Sequence, residues 1–167
     1  IANNTLFGVR RTVNPNFPTI TNCIIWNNEN DLDSCTATYS NIKDGDSGEG
    51  NISEDPKFLY PRAFSYRIGQ ASPAINAGTP LPGIEFDFDG DLRSDPPDMG
   101  ADEYLDSDND MIQDGWERFH GFNPYSIADQ SADPDDDGLI NYYEFILDTD
   151  PWEPDTDDDG LTDGEEA

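Results

Sequence analysis

Acidic residues recur at alternate positions three times in the last third of the chain, and each run opens a segment of twelve residues. These segments, 106–117, 133–144 and 155–166, are called loop one, loop two and loop three. Oxygen-bearing side chains occupy the first, third, fifth, ninth and twelfth positions of each loop. Calcium binds about six to eight oxygens in loops of this spacing, and the seventh residue adds its backbone carbonyl. The predicted calcium ligands are Asp106, Asp108, Asp110, Ile112, Asp114 and Glu117 in loop one, Asp133, Asp135, Asp137, Leu139, Asn141 and Glu144 in loop two, and Asp155, Asp157, Asp159, Leu161, Asp163 and Glu166 in loop three.

The sixth position of such a loop favours glycine because the chain turns sharply there. Gly138 and Gly160 occupy this position in loops two and three, whereas loop one has Met111. We therefore expect loop one to bind calcium more weakly or with distorted geometry.

The charge of this region allows a second interpretation. Residues 106–167 hold 21 acidic residues and one basic residue, Arg118, a net charge of −20 within a chain total of −29. Runs of like charge are typical of disordered or solvated segments. The same region contains aromatic residues that a disordered acidic tail rarely carries, among them Trp116, Phe145 and Trp152. Bound cations that cancel the charge would let these aromatics pack. The acidity argues against nucleic acid as a partner.

Two short helices are predicted to follow the metal-binding positions of loops one and two. The first covers 116–120 and is ended by Gly121 and Pro124, and the second covers 142–147 and ends before Pro151. The three loops, with Gly121-Phe-Asn-Pro124 and Asp148-Thr-Asp-Pro151 between them, resemble bacterial thrombospondin type 3 calcium repeats. This resemblance covers nearly all of residues 106–167 and implies EF-hand-like loops that bind about three or more calcium ions. It also implies that Asp148 and Asp150 add ligands between the loops, although a capped turn explains the same two residues equally well.

The first part of the chain is predicted to be β structure. Short runs rich in β-branched and aromatic residues, at 19–26, 36–42 and 64–68, alternate with clusters of Asn, Asp, Gly and Pro. The segments 19–28, 37–42 and 48–58 resemble the last coils of bacterial secreted right-handed parallel β-helix proteins. The segments 71–78, 89–93 and 98–104 are similar to the closing segment of that family. Two departures are Ala74, where the family usually has Cys, and the missing run of preceding coils.

Together the two resemblances imply a mainly β fold of two domains. Residues 1–105 would form the final coils and closing segment of a right-handed parallel β-helix, and residues 106–167 the calcium-binding repeats with short helices. The first coil of a β-helix exposes unpaired backbone groups. We therefore expect this edge to pair with preceding coils of the same chain, with a flanking segment or with a second copy of the chain. Pairing between copies would give a homo-oligomer or head-to-tail filaments, because such a contact need not close into a ring.

Several further residues are candidates for other chemistry. Cys23 and Cys35 could form a disulfide or remain buried thiols. Asn3 and Asn51 fit the N-glycosylation acceptor pattern. A fourth acidic run at 87–91 alternates like the three loops, with Leu92 in place of the turn glycine, and is a weaker candidate for a metal loop.

These observations favour an extracellular or cell-surface structural or assembly module, stiffened by calcium, over an enzyme. No motif joins a nucleophile, a base and an orienting group, and the single histidine, His120, lies beside a metal loop. One alternative is the end of a secreted polysaccharide lyase or hydrolase, or of a carbohydrate-binding protein, because large β-helix proteins often act on polysaccharides. Another is a dockerin-like anchoring module, although Glu144 and Glu166 lie where dockerins typically have Asp. No membrane span is predicted.

Overall fold

The computed structural model describes residues 7–10, 20–33, 35–59 and 67–167. Asn3 lies outside these residues, as does most of the strand predicted at 64–68. The chain divides into two compact units. Unit 1 comprises Ile1–Lys57, Ile68–Phe88 and Leu92–Glu103, and unit 2 comprises Phe58–Arg67, Asp89–Asp91 and Tyr104–Ala167. The predicted second domain, 106–167, thus lies within unit 2, which also takes two short segments from earlier in the chain.

The strands of unit 1 are short and pair in parallel. They are β1 Phe7–Arg10, β2 Ile20–Thr21, β3 Ile24–Ile25, β4 Asn30–Asp33, β5 Ala37–Thr38 and β6 Asn41–Ile42. Strand β1 pairs with β4, β2 with β5, and β3 with β6. The β2–β5 and β3–β6 pairs have the same sequence offset, because Ile20 is opposite Ala37 and Ile24 is opposite Asn41.

A further parallel bridge joins Asn41 to Ile52, so the pairing continues one step beyond β6. The side chain of Asn41 reinforces this step, since its Nδ2 donates to the Glu54 carbonyl at 2.8 Å. Stacked parallel pairs with a constant offset are compatible with successive coils of a β-helix. The described residues form two-stranded sheets without closure, and the right-handed parallel β-helix therefore stays a prediction.

Unit 1 has a small apolar core built from these strands. Ile20, Ile25, Ala37 and Ile42 are buried together, and Cys23, Leu32 and Cys35 pack against them. Left-handed backbone at Asn22 and Asn27 turns the chain on either side of β3, which suits asparagine because its short polar side chain tolerates this conformation.

The helices belong to unit 2 and are α1 Asp114–His120, α2 Asn141–Leu147 and α3 Asp163–Glu166. Each begins at the ninth residue of a loop, so α1 starts two residues and α2 one residue earlier than the sequence predicts. Gly121, with φ of 84°, ends α1, and Asp148, with φ of 64°, ends α2. No helix in the described part of the chain is both long and apolar enough to cross a membrane.

The core of unit 2 is aromatic. Ile112, Trp116 and Phe145 are buried together, with the Trp116 and Phe145 rings edge to face at 5.8 Å. Leu59, Phe122, Tyr142 and Ile146 pack against this cluster. Because Ile112 is the seventh residue of loop one, the loop is anchored to the core through the side chain of that position.

Candidate metal centres

The three loops close in the same way. In each loop the backbone N–H of the ninth residue donates to the carbonyl of the residue just before the first position. The pairs are Asp114 to Leu105 at 2.8 Å, Asn141 to Ala132 at 2.8 Å, and Asp163 to Pro154 at 3.0 Å. This shared bond explains why a helix starts at the ninth residue of every loop.

The first, third and fifth carboxylates of each loop also accept the same backbone hydrogen bonds. The N–H of the sixth residue donates to the first carboxylate, that of the fifth residue to the third, and that of the seventh residue to the fifth. These bonds measure 3.1, 3.1 and 2.8 Å in loop one, 3.1, 3.3 and 2.7 Å in loop two, and 2.9, 3.2 and 3.1 Å in loop three. The backbone therefore fixes three carboxylates per loop.

Left-handed backbone at two positions produces the curl of each loop. The fourth residues have φ near 60°, and the sixth residues have φ of 77° at Met111 and 101° at Gly138 and Gly160. Met111 makes the same N–H contact as the two glycines, so loop one follows the same path despite its side chain. A non-glycine residue in this region costs roughly 1–2 kcal/mol, and loop one carries that cost.

Four carboxylates come together at loop one. Asp108, Asp110, Glu117 and Asp129 each offer an oxygen, and these oxygens all lie within 4.8 Å of one another. This group is called cluster one. Asp129 lies outside every twelve-residue loop, between α1 and loop two. The spacing of acids within the loops therefore does not predict that it belongs to this group.

Cluster one contains buried oxygens that have no hydrogen-bond partner. They are one oxygen each of Asp108, Asp110 and Asp129, and both oxygens of Glu117. The Glu117 side chain is only 1% exposed. Leaving a buried polar group unsatisfied costs about 1–3 kcal/mol, and more when the group is charged. The arrangement therefore requires either protonation or a ligand that satisfies these oxygens.

The pKa values of cluster one also show that its carboxylates resist ionisation where they are buried together. Burial, and then the neighbouring carboxylates Asp110, Asp129 and Asp108, raise the pKa of Glu117 to about 8. Burial also raises the pKa of Asp110 to about 6. Desolvation and like charge both disfavour the ionised form. A cation at this point would oppose both effects.

Loop two forms two groups of carboxylates that share Asp137, and loop three contributes a residue to one of them. Asp133, Asp135 and Asp137 form one group, and Asp137, Glu144 and Asp163 form another, each with oxygens within 4.8 Å. The sequence pattern assigned Asp163 to loop three, whereas the structure brings it beside the twelfth residue of loop two. The N–H of Gly164 donates to Asp137 at 2.6 Å and holds the start of α3 against loop two.

Glu144 is the loop-two counterpart of Glu117. Its side chain is fully buried, one oxygen has no partner, and the other accepts from the Thr149 hydroxyl. Burial is the main cause of a pKa raised to about 7. One oxygen each of Asp133 and Asp135 is also buried without a partner.

Loop three is more open. Its group consists of Asp155, Asp157 and Asp159, whose oxygens lie within 4.8 Å of one another. Asp157 and Asp159 are exposed, and Asp155 is half-buried. Glu166 is exposed and is not a member of this group, although the charge of Asp159 raises its pKa. Leu161, at the seventh position, is half exposed, whereas Ile112 and Leu139 are buried.

Several predicted ligands have other partners. Asp106 accepts from the N–H groups of Asn109 and Met111 and is not a member of cluster one. Asp114 accepts from the N–H and hydroxyl of Ser107. Asn141 donates from Nδ2 to the carbonyl of Asp129, and its Oδ1, the atom that would bind a cation, is buried without a partner.

The two candidate ligands after loop two are engaged elsewhere. Asp148 forms an ion pair with Arg67 at 3.1 Å. Asp150 accepts from the N–H of Trp152 and lies 3.7 Å from Nδ1 of His120. The turn interpretation describes Asp150 better than the ligand interpretation does.

The acidic run at 87–91 does not form a fourth loop of this type. Asp89 pairs with Arg67 at 3.1 Å, and Asp91 pairs with Arg118. Asp87 accepts from the N–H of Glu103 at 2.9 Å. Arginines distant in sequence neutralise this run, and the alternation of acids alone could not reveal that.

The remaining candidates lie in unit 1. Cys23 and Cys35 are free thiols that donate to the carbonyls of Thr21 and Asp33. The Asn51 side chain donates from Nδ2 to the Ala37 carbonyl at 2.9 Å and accepts from the Ser40 N–H at 3.0 Å. A glycan on Nδ2 would disturb these bonds.

Comparison of the chain with known protein families, with curated proteins and with solved structures gave no match. The proposed function therefore rests on the geometry of the loops.

Proposed function

We propose that unit 2 binds at least three calcium ions and that these ions hold the acidic loops in their folded arrangement. The observation that carries this proposal is Glu117, which is buried with two unpartnered oxygens among Asp108, Asp110 and Asp129. One divalent cation would satisfy these oxygens and offset the repulsion among four carboxylates. Glu144, buried beside Asp137 and Asp163, makes the same demand in loop two.

The donor atoms favour calcium among the common metals. All are carboxylate or carbonyl oxygens, which suit hard cations, whereas zinc and copper sites use nitrogen and sulfur. Magnesium demands near-ideal octahedral geometry and keeps several waters, while calcium accepts about six to eight oxygens in a flexible arrangement. Curled loops in which groups of three or four carboxylates converge match the second description.

Calcium would act here as a structural element. Three divalent ions would offset six of the negative charges that give residues 106–167 a net charge of −20. At a free concentration ten times the dissociation constant, each site stabilises the folded state by about 1.4 kcal/mol. Several such sites contribute a large share of the roughly 5–15 kcal/mol typical of a whole domain.

We further propose that the module is extracellular and that its β portion is the end of a right-handed parallel β-helix. The supporting observations are the repeated parallel offset of β2–β5 and β3–β6 and the side-chain link from Asn41 to Glu54. Millimolar calcium outside cells suits loops of this kind. Preceding coils, or a second copy of the chain, would cover the open edge of the first coil.

Isothermal titration and limited proteolysis together test the calcium proposal. We expect at least three equivalents of calcium to bind, magnesium to bind more weakly, and a chelator to make residues 104–167 sensitive to protease. Absence of binding heat up to millimolar calcium, together with unchanged protease resistance in chelator, would overturn the proposal.

A further inference from the structure

Loop two, besides providing carboxylates of its own, holds the segment that supplies cluster one with its fourth carboxylate. That carboxylate belongs to Asp129, which comes from the connection between α1 and loop two. One of its oxygens is buried in cluster one without a partner, and the other accepts from the N–H of Asn123 at 3.2 Å. The position of Asp129 therefore depends on how residues 123–132 are held.

Residues 129 and 130 contact both loops. The carbonyl of Asp129 accepts from Nδ2 of Asn141 at 2.9 Å, and the carbonyl of Gln130 accepts from the N–H of Tyr142 at 3.1 Å. On the other side, the Gln130 side chain donates to the carbonyl of Asp110, the fifth residue of loop one. This pair of residues is thus hydrogen-bonded to the start of α2 and to the ligand segment of loop one.

The ninth residue of loop two can hold the Asp129 segment, whereas the ninth residues of loops one and three are engaged within their own loops. In loops one and three the ninth residue is an aspartate that accepts hydrogen bonds from the second residue, Ser107 or Thr156. Loop two has Pro134 at its second position, which has neither an N–H nor a hydroxyl to offer. Its ninth residue, Asn141, is fully buried and uses its amide N–H on Asp129 instead.

We propose, on the basis of the calcium function above, that Asn141 is a positioning residue for cluster one. A cation in loop two fixes Asp137 and Glu144, and Asn141 lies between them in sequence. An ordered Asn141 holds the Asp129 carbonyl, and Asp129 then presents its carboxylate to cluster one. Because coupling free energies are reciprocal, a cation in cluster one also favours binding in loop two.

The test is a calcium titration of the full chain followed by ¹⁵N NMR, with the amides of 107–112 reporting cluster one and those of 134–139 reporting loop two. The main variant is Asn141→Asp, which is nearly isosteric but removes the amide donor. We expect cluster one to lose about tenfold in affinity, a typical effect of removing a residue that orients a ligand. Loop two should gain affinity, because aspartate keeps an oxygen at the ninth position and adds a charge there, as in loops one and three. Gln70→Glu, an exposed site in unit 1, adds the same charge and should change neither affinity.

A second pair of variants tests the coupling without depending on one substitution. Glu144→Gln weakens loop two directly, and coupling of ordinary size predicts that cluster one also loses at least about fivefold in affinity. In a chain that already carries Asn141→Ala, Glu144→Gln should no longer affect cluster one, which a double-mutant cycle measures. Should the Asn141 variants fail to fold, Glu144→Gln alone still tests the coupling, and an affinity of cluster one within twofold of the unchanged chain would overturn it.

The outcomes separate the two proposals. If the amides of neither loop respond to millimolar calcium, the calcium function itself is wrong. If both respond but Asn141→Asp leaves the affinity of cluster one within twofold, the positioning role is wrong and the calcium function stands. An equal loss in both loops would show that Asn141 matters only for folding and would also overturn the positioning role.

Discussion

The carboxylate of Asp114 accepts two hydrogen bonds from Ser107, one from its N–H and one from its hydroxyl, both at 2.7 Å. Thr156 and Asp163 repeat this relationship in loop three, with the hydroxyl bond again at 2.7 Å. The ninth acid therefore ties the start of its loop to the helix that follows. In loop one, where Asp114 is not a member of cluster one, we interpret this acid as a brace for the loop.

Replacing Ser107 by alanine tests the brace. The variant keeps the backbone bond to Asp114 and loses the hydroxyl bond to a buried carboxylate, which should lower the free energy of unfolding by about 1.5–3 kcal/mol. Urea denaturation in saturating calcium measures the change. Ser131→Ala, at an exposed position, is the matched control and should change the free energy of unfolding by less than about 0.5 kcal/mol. Equal effects of the two variants would refute the brace.

Glu117→Gln should weaken the first calcium site selectively. The substitution keeps the shape of the side chain but removes the charge at the centre of cluster one, so we expect the affinity of that site to fall about tenfold or more. Titration calorimetry or NMR can follow the loss. Glu153, which is exposed, provides the control Glu153→Gln with no expected effect. An unchanged affinity in Glu117→Gln would mean that this residue is not a ligand.

Without calcium, unit 2 should become less stable as the pH rises from about 5 to 8. Burial and neighbouring carboxylates raise the pKa of Glu117 to about 8 and that of Glu144 to about 7. The folded state therefore holds protons in this range that the unfolded state has already released. Stability falls with pH wherever the folded state binds more protons.

Melting temperatures measured in chelator across this pH range test whether stability falls as the pH rises. Calcium should make stability depend less on pH, because the bound ion displaces the protons from its ligands. Glu117→Gln should remove part of the slope even in chelator, since glutamine does not titrate. A melting temperature that rises with pH in the absence of calcium would contradict this prediction.

Met111→Gly should stabilise loop one. Met111 has φ of 77° at the position where the other loops have glycine. Relief of left-handed strain, roughly 1–2 kcal/mol, exceeds the cost of a more flexible unfolded chain, about 0.4–1 kcal/mol. A net gain of about 0.5–1 kcal/mol in the free energy of unfolding is expected, measured by urea denaturation. Met111→Ala keeps the Cβ atom and should show no such gain, so equal behaviour of the two variants would count against strain at this position.

The local parts of the carboxylate groups in the loops can be predicted from the sequence. The alternation of acids places the third and fifth residues of each loop together, and the helical turn that follows places Glu117 beside Asp108 and Asp110. Helices α1 and α2 were predicted to within two residues of their starts, because Gly121 and the approach to Pro151 mark their ends. These features depend on residues within about twelve positions of one another.

Contributions from distant parts of the chain could not be read from the spacing. Asp129 belongs to cluster one because the segment between α1 and loop two packs against loop one. Asp163 lies beside loop two because the N–H of Gly164 is hydrogen-bonded to Asp137. Spacing also failed at 87–91, where Arg67 and Arg118 pair with the acids. In each case the fold brings together residues that are far apart in sequence, and the local spacing of acids contains no information about such contacts.

The β portion shows a similar limit. The segments at 19–26 and 36–42 were predicted to be β-rich and do contain short strands, but which strand pairs with which was beyond the local pattern. Among the described residues, the constant offset between β2–β5 and β3–β6 and the bridge from Asn41 to Ile52 are compatible with stacked coils. Strands of two residues carry too few side chains to define a buried face on their own.

A crystal structure obtained in millimolar calcium, with anomalous scattering data, would show directly whether calcium occupies the loops. We expect an anomalous peak bounded by oxygens of Asp108, Asp110, Glu117 and Asp129 and further peaks at loops two and three, each at about 2.3–2.6 Å from its ligands. The same loop geometry with only water between Glu117 and its neighbouring carboxylates would contradict the calcium proposal.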